Sequence, residues 1–82
     1  MRLDKFLKIS RIIKRRTVAN DACDLNRVSI NGKPAKPSKD VNIGDIISIR
    51  FGDKVANFKV LEVPTGNVSK ERADSLYESV IL

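Results

Sequence analysis

Apolar and polar positions change rhythm midway along the chain. Over residues 2–10, Leu3, Phe6 and Leu7 recur at helical spacing and, at about 100° per residue, share one stripe. Arg2, Lys5 and Lys8 fall on roughly the opposite side. The pattern predicts a short helix with an apolar inner face and a basic outer face. Residues 11–16 link it to a second helix, with Ile12 and Ile13 turned inward and Thr17 as the expected N-cap. Val18, Ala19, Ala22, Cys23 and Leu25 form the expected buried side, where small Ala side chains let the helices approach closely. Asn26 ends this helix, because Asn tolerates the left-handed conformation common at that position.

Alternation then replaces the helical period. Residues 27–31 read as a strand with Val28 and Ile30 inward, followed by Asn31-Gly32, a strong tight-turn signal. Residues 33–36 return as a short strand, which Pro34 confines to a sheet edge. Residues 41–45, with Gly44-Asp45, form a turn. Residues 46–51 follow as a strand with Ile47, Ile49 and Phe51 on one face. Gly52-Asp53-Lys54 reads as a hairpin loop, and residues 55–63 as the partner strand, with Ala56, Phe58 and Val60 alternating. The breaker cluster 64–67 precedes a last helix N-capped by Ser69, with Val68 stapled to Ala73. Its apolar stripe is Ala73, Leu76, Tyr77, Val80 and Ile81. The four aromatic residues, Phe6, Phe51, Phe58 and Tyr77, are all assigned to the core. The fold class is α+β.

Length and charge sharpen this picture. With 82 residues the chain makes one domain, 1–82, with a thin core; a chain this short buries only roughly 60% of its unfolded surface. Sixteen Lys and Arg face ten Asp and Glu, with no His, for a net charge of +6. The excess is one-sided. Residues 1–36 hold ten basic and three acidic side chains, and residues 37–82 hold six and seven. A charge run is commonly only a solvated face, but solubility is better served by mixed signs. The asymmetry points to a polyanionic partner. Lys14-Arg15-Arg16 repel one another and gain from a bound anion, and a helix N-terminus beside them favours phosphate.

Other chemistries find little support. A general acid–base pair is absent from the spacing, so Asp4 is expected to pair locally with a base such as Arg11. Cys23, the single cysteine, sits on an apolar face and reads as a buried small hydrophobe rather than a nucleophile. No metal site and no cofactor are expected, and the chain is read as a non-enzyme. No apolar run approaches a membrane span, and no secretory signal is visible, so a cytoplasmic location is expected.

Arg2-Leu3-Asp4, Ser10-Arg11, the basic run into a second helix, Val28-Ser-Ile-Asn-Gly32 and Gly44-Asp45 stand in an order that resembles the S-four RNA-binding domain. The resemblance covers about residues 1–51; residues 52–82 would add a strand and a C-terminal helix. Many members have Gly where this chain has Asn26, a position that Asn can fill. The resemblance implies an α-helical hairpin packed on a small bent antiparallel β-sheet. It also implies an RNA-binding surface of Arg2, Lys5, Arg11, Lys14, Arg15 and Arg16, with Arg27 and Lys33 at the rim. These are residues that the charge count also selects.

Over its full length the chain is similar to free-standing S-four factors of bacterial ribosome-associated quality control. The implied partners are 23S rRNA and peptidyl-tRNA on the large ribosomal subunit, shared with a nascent-chain tailing factor. The expected action is a monomer supporting C-terminal tailing. The alternatives are a recycling factor of the heat-shock S-four group, whose members usually carry a longer basic C-terminal extension, and a basic protein-interaction module. Arg would pair phosphate oxygens in a planar fork, and Lys would follow the backbone as a point charge. If about five phosphates are neutralised, log affinity should fall with log salt at a slope of roughly −3.5 to −4.5. Asn31 is expected to serve mainly as a turn residue, with RNA contact as a lesser role.

Overall fold

The N-terminal stripe winds as its spacing predicts. In the computed structural model, which describes residues 1–66 and 68–81, α1 spans Leu3–Ile9 and buries Leu3, Phe6 and Leu7 completely. Asn67, part of the expected breaker cluster, and Leu82, the expected end of the domain, lie outside the described residues. The N-cap residue of α1, Arg2, makes no side-chain capping bond. Backbone carbonyls serve two of the helix's amides instead: Leu3 N–H donates to the Lys39 carbonyl (2.8 Å) and Asp4 N–H to that of Pro37 (3.1 Å). A single bridge, Arg2 to Asp40, extends this strap between the chain start and the middle of the sequence.

The second helix, α2, spans Arg16–Asp24 and packs on α1. It begins one residue before the expected Thr17 cap: Arg15 is the N-cap, in extended conformation and without a capping side chain. Its buried row is narrower than predicted. Ala19 and Cys23 are buried and Ala22 partly so, whereas Val18 is 50% and Leu25 58% exposed. Positions 18 and 19 lie about 100° apart, so turning Ala19 inward leaves Val18 on the flank. Leu25 is already the C-cap. Asn26 then takes φ 58°, with its N–H on the Cys23 carbonyl and the Arg27 N–H on that of Ala22. This is a Schellman ending, and it turns the chain into the sheet.

Five antiparallel strands follow: β1 (Val28–Ile30), β2 (Lys33–Pro34), β3 (Ile46–Phe51), β4 (Lys54–Val60) and β5 (Tyr77–Val80), in the order β2-β1-β3-β4-β5. Asn31 and Gly32, both at positive φ, make the two-residue turn from β1 to the edge strand β2. Val28 pairs with Ile49 and Ile30 with Ile47, so the inward positions of adjacent strands coincide and are buried with α1. Phe51, on the same face, is 52% exposed rather than in the core, at the outer end of its strand. β4 stops at Val60, three residues short of its expected end.

The C-terminal segment departs most from expectation. Ser69 does cap a helix, accepting from the Arg72 N–H, but α3 is only Lys70–Ala73, followed by one 3-10 turn over Asp74–Leu76. Residues 77–80 then form β5, pairing Tyr77 with Val60 and Val80 with Asn57. Isolated short helices are marginal, and β4 offered an open edge. Tyr77 instead meets Phe58 edge-to-face, with centroids 5.4 Å apart at 87°.

Candidate nucleic-acid interface

A carboxylate organises the basic surface. Asp4 stands in the first turn of α1 and is 1% exposed. It accepts from the Lys5 N–H (2.8 Å), from Arg2 Nε and Nη2 (both 3.2 Å, one on each oxygen) and from Asn20 Nδ2 (3.3 Å). Arg16 Nε lies 3.5 Å from its Oδ2. One carboxylate thus joins the chain start, α1 and α2. The expected partner was Arg11, but Arg11 lies beyond the far end of a seven-residue helix, roughly 10 Å along the axis.

This arrangement orders two cations without hiding them. The Arg2 and Arg16 side chains remain 52% and 48% exposed, while the Asp4 side chain is 2% exposed. Each guanidinium has five N–H donors in a planar fork, so donors not spent on Asp4 remain for a phosphate. Burial pushes the Asp4 pKa up, but hydrogen bonds from Asn20 and Lys5 N–H and the charges of Arg16 and Arg2 outweigh it. The carboxyl is held below the ordinary range, and the hub stays ionised at neutral pH.

A shallow pocket lies directly over the hub, lined by Arg2, Asp4, Arg16, Thr17, Asn20 and Asp21, and two further, basic clefts lie along the hairpin. The first, of about 620 Å³, is lined by Met1, Arg2, Lys5 and Arg16 on one side and by Val63, Pro64 and Thr65 on the other. The second, of about 310 Å³, brings together Lys8, Arg11, Lys14 and Lys70, with Ile9 and Val68. Arg11 reaches it through a left-handed backbone, φ 63°, which costs a non-glycine residue roughly 1–2 kcal/mol. The turn is held by Arg11 N–H on the Lys8 carbonyl (3.0 Å), Ile13 N–H on that of Leu7 (3.1 Å) and the buried Ser10 Oγ, also on Leu7 (3.2 Å). Outliers of this kind cluster where side-chain direction matters.

The predicted residues therefore fall into groups. Arg2, Lys5 and Arg16 share the first cleft; Arg11 and Lys14 share the second. Arg15 is exposed at the α2 N-cap and lines neither. Arg27 follows the opposite end of α2, roughly 13 Å away along the nine-residue helix. Lys33 lines a separate groove at the sheet edge. Sequence reasoning left Lys8 and Lys70 out of the site. Lys8 is three residues from Lys5 on the same helical face, a signal that was available. Lys70 is brought in only by the return of the chain from β4. Asn31 donates from Nδ2 to Asp45 (3.1 Å) and accepts the Ile46 N–H on Oδ1 (3.0 Å), so both ends of its amide serve the fold.

Burial, with Asp4 and Asp24 nearby, raises the Cys23 thiol to about 11, so it is protonated at neutral pH. Among the described residues, no group of three or more His, Cys, Asp and Glu could hold a metal ion, and no helix is long and apolar enough to cross a membrane.

Comparison with known proteins gives a consistent picture. The S4 domain family model matches residues 1–47. The RQC P-site tRNA stabilizing factor of Streptococcus pneumoniae is 50% identical over 80 residues, which cover 98% of this chain and 90% of that protein. Its counterpart in Bacillus subtilis is 51% identical over 77 residues, covering 94% and 88%. Among solved structures, the trimeric Heat Shock Protein 15 of Vibrio cholerae superposes with a TM-score of 0.87 at 32% identity, covering 98% of this chain and 81% of that one.

Proposed function

The chain belongs to the S4-domain family and is closely related to the bacterial RqcP factors, and on that premise we propose that it stabilises P-site peptidyl-tRNA on the large ribosomal subunit during ribosome-associated quality control. It binds 23S rRNA and the tRNA through the hairpin and supports C-terminal tailing of the stalled nascent chain by a partner factor. It acts in the cytoplasm as a single copy and performs no chemistry itself.

One observation supports this reading above the rest: two half-exposed guanidinium groups are clamped on a buried carboxylate at the junction of the helices. A clamp of this kind presents cations already ordered, which lowers the entropic cost of gripping phosphate. The exposed side of the hairpin carries Lys and Arg rather than aromatic rings, which suits folded RNA read by shape and phosphate position. The roles split by residue type. Arg2, Arg11 and Arg16 supply forks, and Lys5, Lys8 and Lys14 follow the backbone beside them.

Co-sedimentation with isolated large subunits, with and without peptidyl-tRNA, across a salt series tests the proposal. Tight binding that weakens with salt and strengthens with peptidyl-tRNA is expected. Binding indifferent to peptidyl-tRNA would move the assignment to a general large-subunit factor, and binding that survives ribonuclease would replace RNA with a protein partner.

A further inference from the structure

Lys33 stands apart from the hairpin clefts, in a groove of about 520 Å³ beside the free edge strand β2. There it meets Lys36 and Lys39, with Asn31 and Ser38 as the polar neighbours. No carboxylate lines the groove, and among the described residues none of the three ammonium groups has an ion-pair partner. Three like charges around one groove repel one another, and a polyanion relieves that repulsion.

The loop that carries them is held in place. Ala35 N–H donates to the Val28 carbonyl (3.0 Å) and Lys39 N–H to that of Lys36 (3.0 Å), while the Lys39 and Pro37 carbonyls accept from the first turn of α1. Pro34 and Pro37 fix their own φ, and Pro37 and Ala35 are buried. A ligand therefore need not order this loop. The strap also joins the groove to the hairpin surface, because Asp40 bridges to Arg2.

Building on the RNA-binding reading above, we propose that Lys33, Lys36 and Lys39 form a second contact for the RNA phosphate backbone, separate from the Arg2–Arg16 clamp. The lining favours RNA over an acidic protein. Protein interfaces are depleted in Lys and enriched in Arg, Met and aromatic residues, and this groove has none of the latter. Lysine follows phosphates as a point charge and reads no base. The contact adds affinity and fixes the register of the domain on its RNA without sequence preference.

The test uses the full chain with Lys33→Gln, Lys36→Gln and Lys39→Gln combined, and the matching triple Lys→Arg variant as a control that keeps the charge. Both are measured on large ribosomal subunits and on a generic A-form RNA duplex across a salt series. Each lost phosphate contact flattens the slope of log affinity against log salt by ~0.7–0.9, so the Gln variant, which loses three, should be flatter by ~2.1–2.7 on either RNA. The Arg variant should keep the wild-type slope. An unchanged slope for the Gln variant on the duplex, or no wild-type binding to the duplex, overturns the proposal. Polyglutamate is the acidic-protein probe: if the wild type binds it and the Gln variant loses that binding with RNA binding intact, the proposal is overturned and the groove is assigned to an acidic protein. If the wild type ignores large subunits while the duplex slope still depends on the lysines, the groove stands and the ribosomal assignment fails.

Discussion

The helical hairpin and the sheet divide the work of this small domain. Residues 1–36, which include the hairpin and the first two strands, carry ten basic and three acidic side chains, whereas residues 37–82 carry six and seven. The hairpin also departs twice from easy folding: it covers a carboxylate with two arginines, and it holds Arg11 in a left-handed turn. β1 and β3, by contrast, contribute Val28, Ile30, Ile47 and Ile49 in register, and β4 adds the buried Val60, with complementary turns at Asn31-Gly32 and Gly52-Asp53. The lesson is that a thin core can support a charge-dense surface if the covered carboxylate and the strained turn sit in one layer and the core strands of the other follow local rules.

The largest expected effect lies in the sheet. Ile47→Ala removes a fully buried side chain and should cost ~2–5 kcal/mol in chemical denaturation. The molecules that remain folded should keep the wild-type salt slope on large subunits. A flatter slope would show that the sheet and hairpin are not separable in this way.

The converse experiment acts on the hairpin. Arg2→Ala combined with Arg16→Ala should weaken large-subunit binding by at least tenfold, about 1.4 kcal/mol. The melting temperature should fall by only a few degrees, because Asp4 keeps the Asn20 and Lys5 hydrogen bonds. A collapse in stability with affinity unchanged would make the two arginines structural rather than binding residues.

Asp4 links the two regions, so its variants should move both properties. Asp4→Asn keeps the shape but loses charge-assisted hydrogen bonds, and a loss of ~1–2 kcal/mol is expected at neutral pH. Because the folded pKa lies below the ordinary 3.8, the unfolded chain takes up the proton first as pH falls. The stabilisation is full above that ordinary value, fades beneath it and is gone once pH drops below the depressed folded pKa. Melts of wild type and Asp4→Asn should therefore converge in acid. A gap that persists there would mean that the carboxylate charge is not what Asp4 contributes.

The smallest effect is expected at Phe51. Because half of it is already in water, Phe51→Ser should change stability by about 0.5 kcal/mol or less. A larger loss would return Phe51 to the core, and a loss of subunit binding at constant stability would add it to the interface.

Much of this division was legible in the chain itself. Period and alternation located α1, α2, β1, β3 and β4, because each depends on side-chain spacing within one segment. Asn26 and Asn31-Gly32 marked their turns because few residues accept positive φ. The basic side of the hairpin was readable because charge is a property of composition. Which charges meet was not. Asp4 turned to Arg2 and Arg16 rather than Arg11, a choice made by how α2 folds back on α1. Lys8 and Lys70 entered one cleft, and Lys33 left for another, through the path of the loops. The stripe of residues 73–81 is nearly as compatible with a helix as with the α3 turn and β5 that replaced it, and the open edge of β4 decided the matter. Local periodicity and charge are written into neighbouring residues, whereas the clamp, the clefts and the fifth strand depend on contacts between distant segments that exist only once the sheet and hairpin have packed.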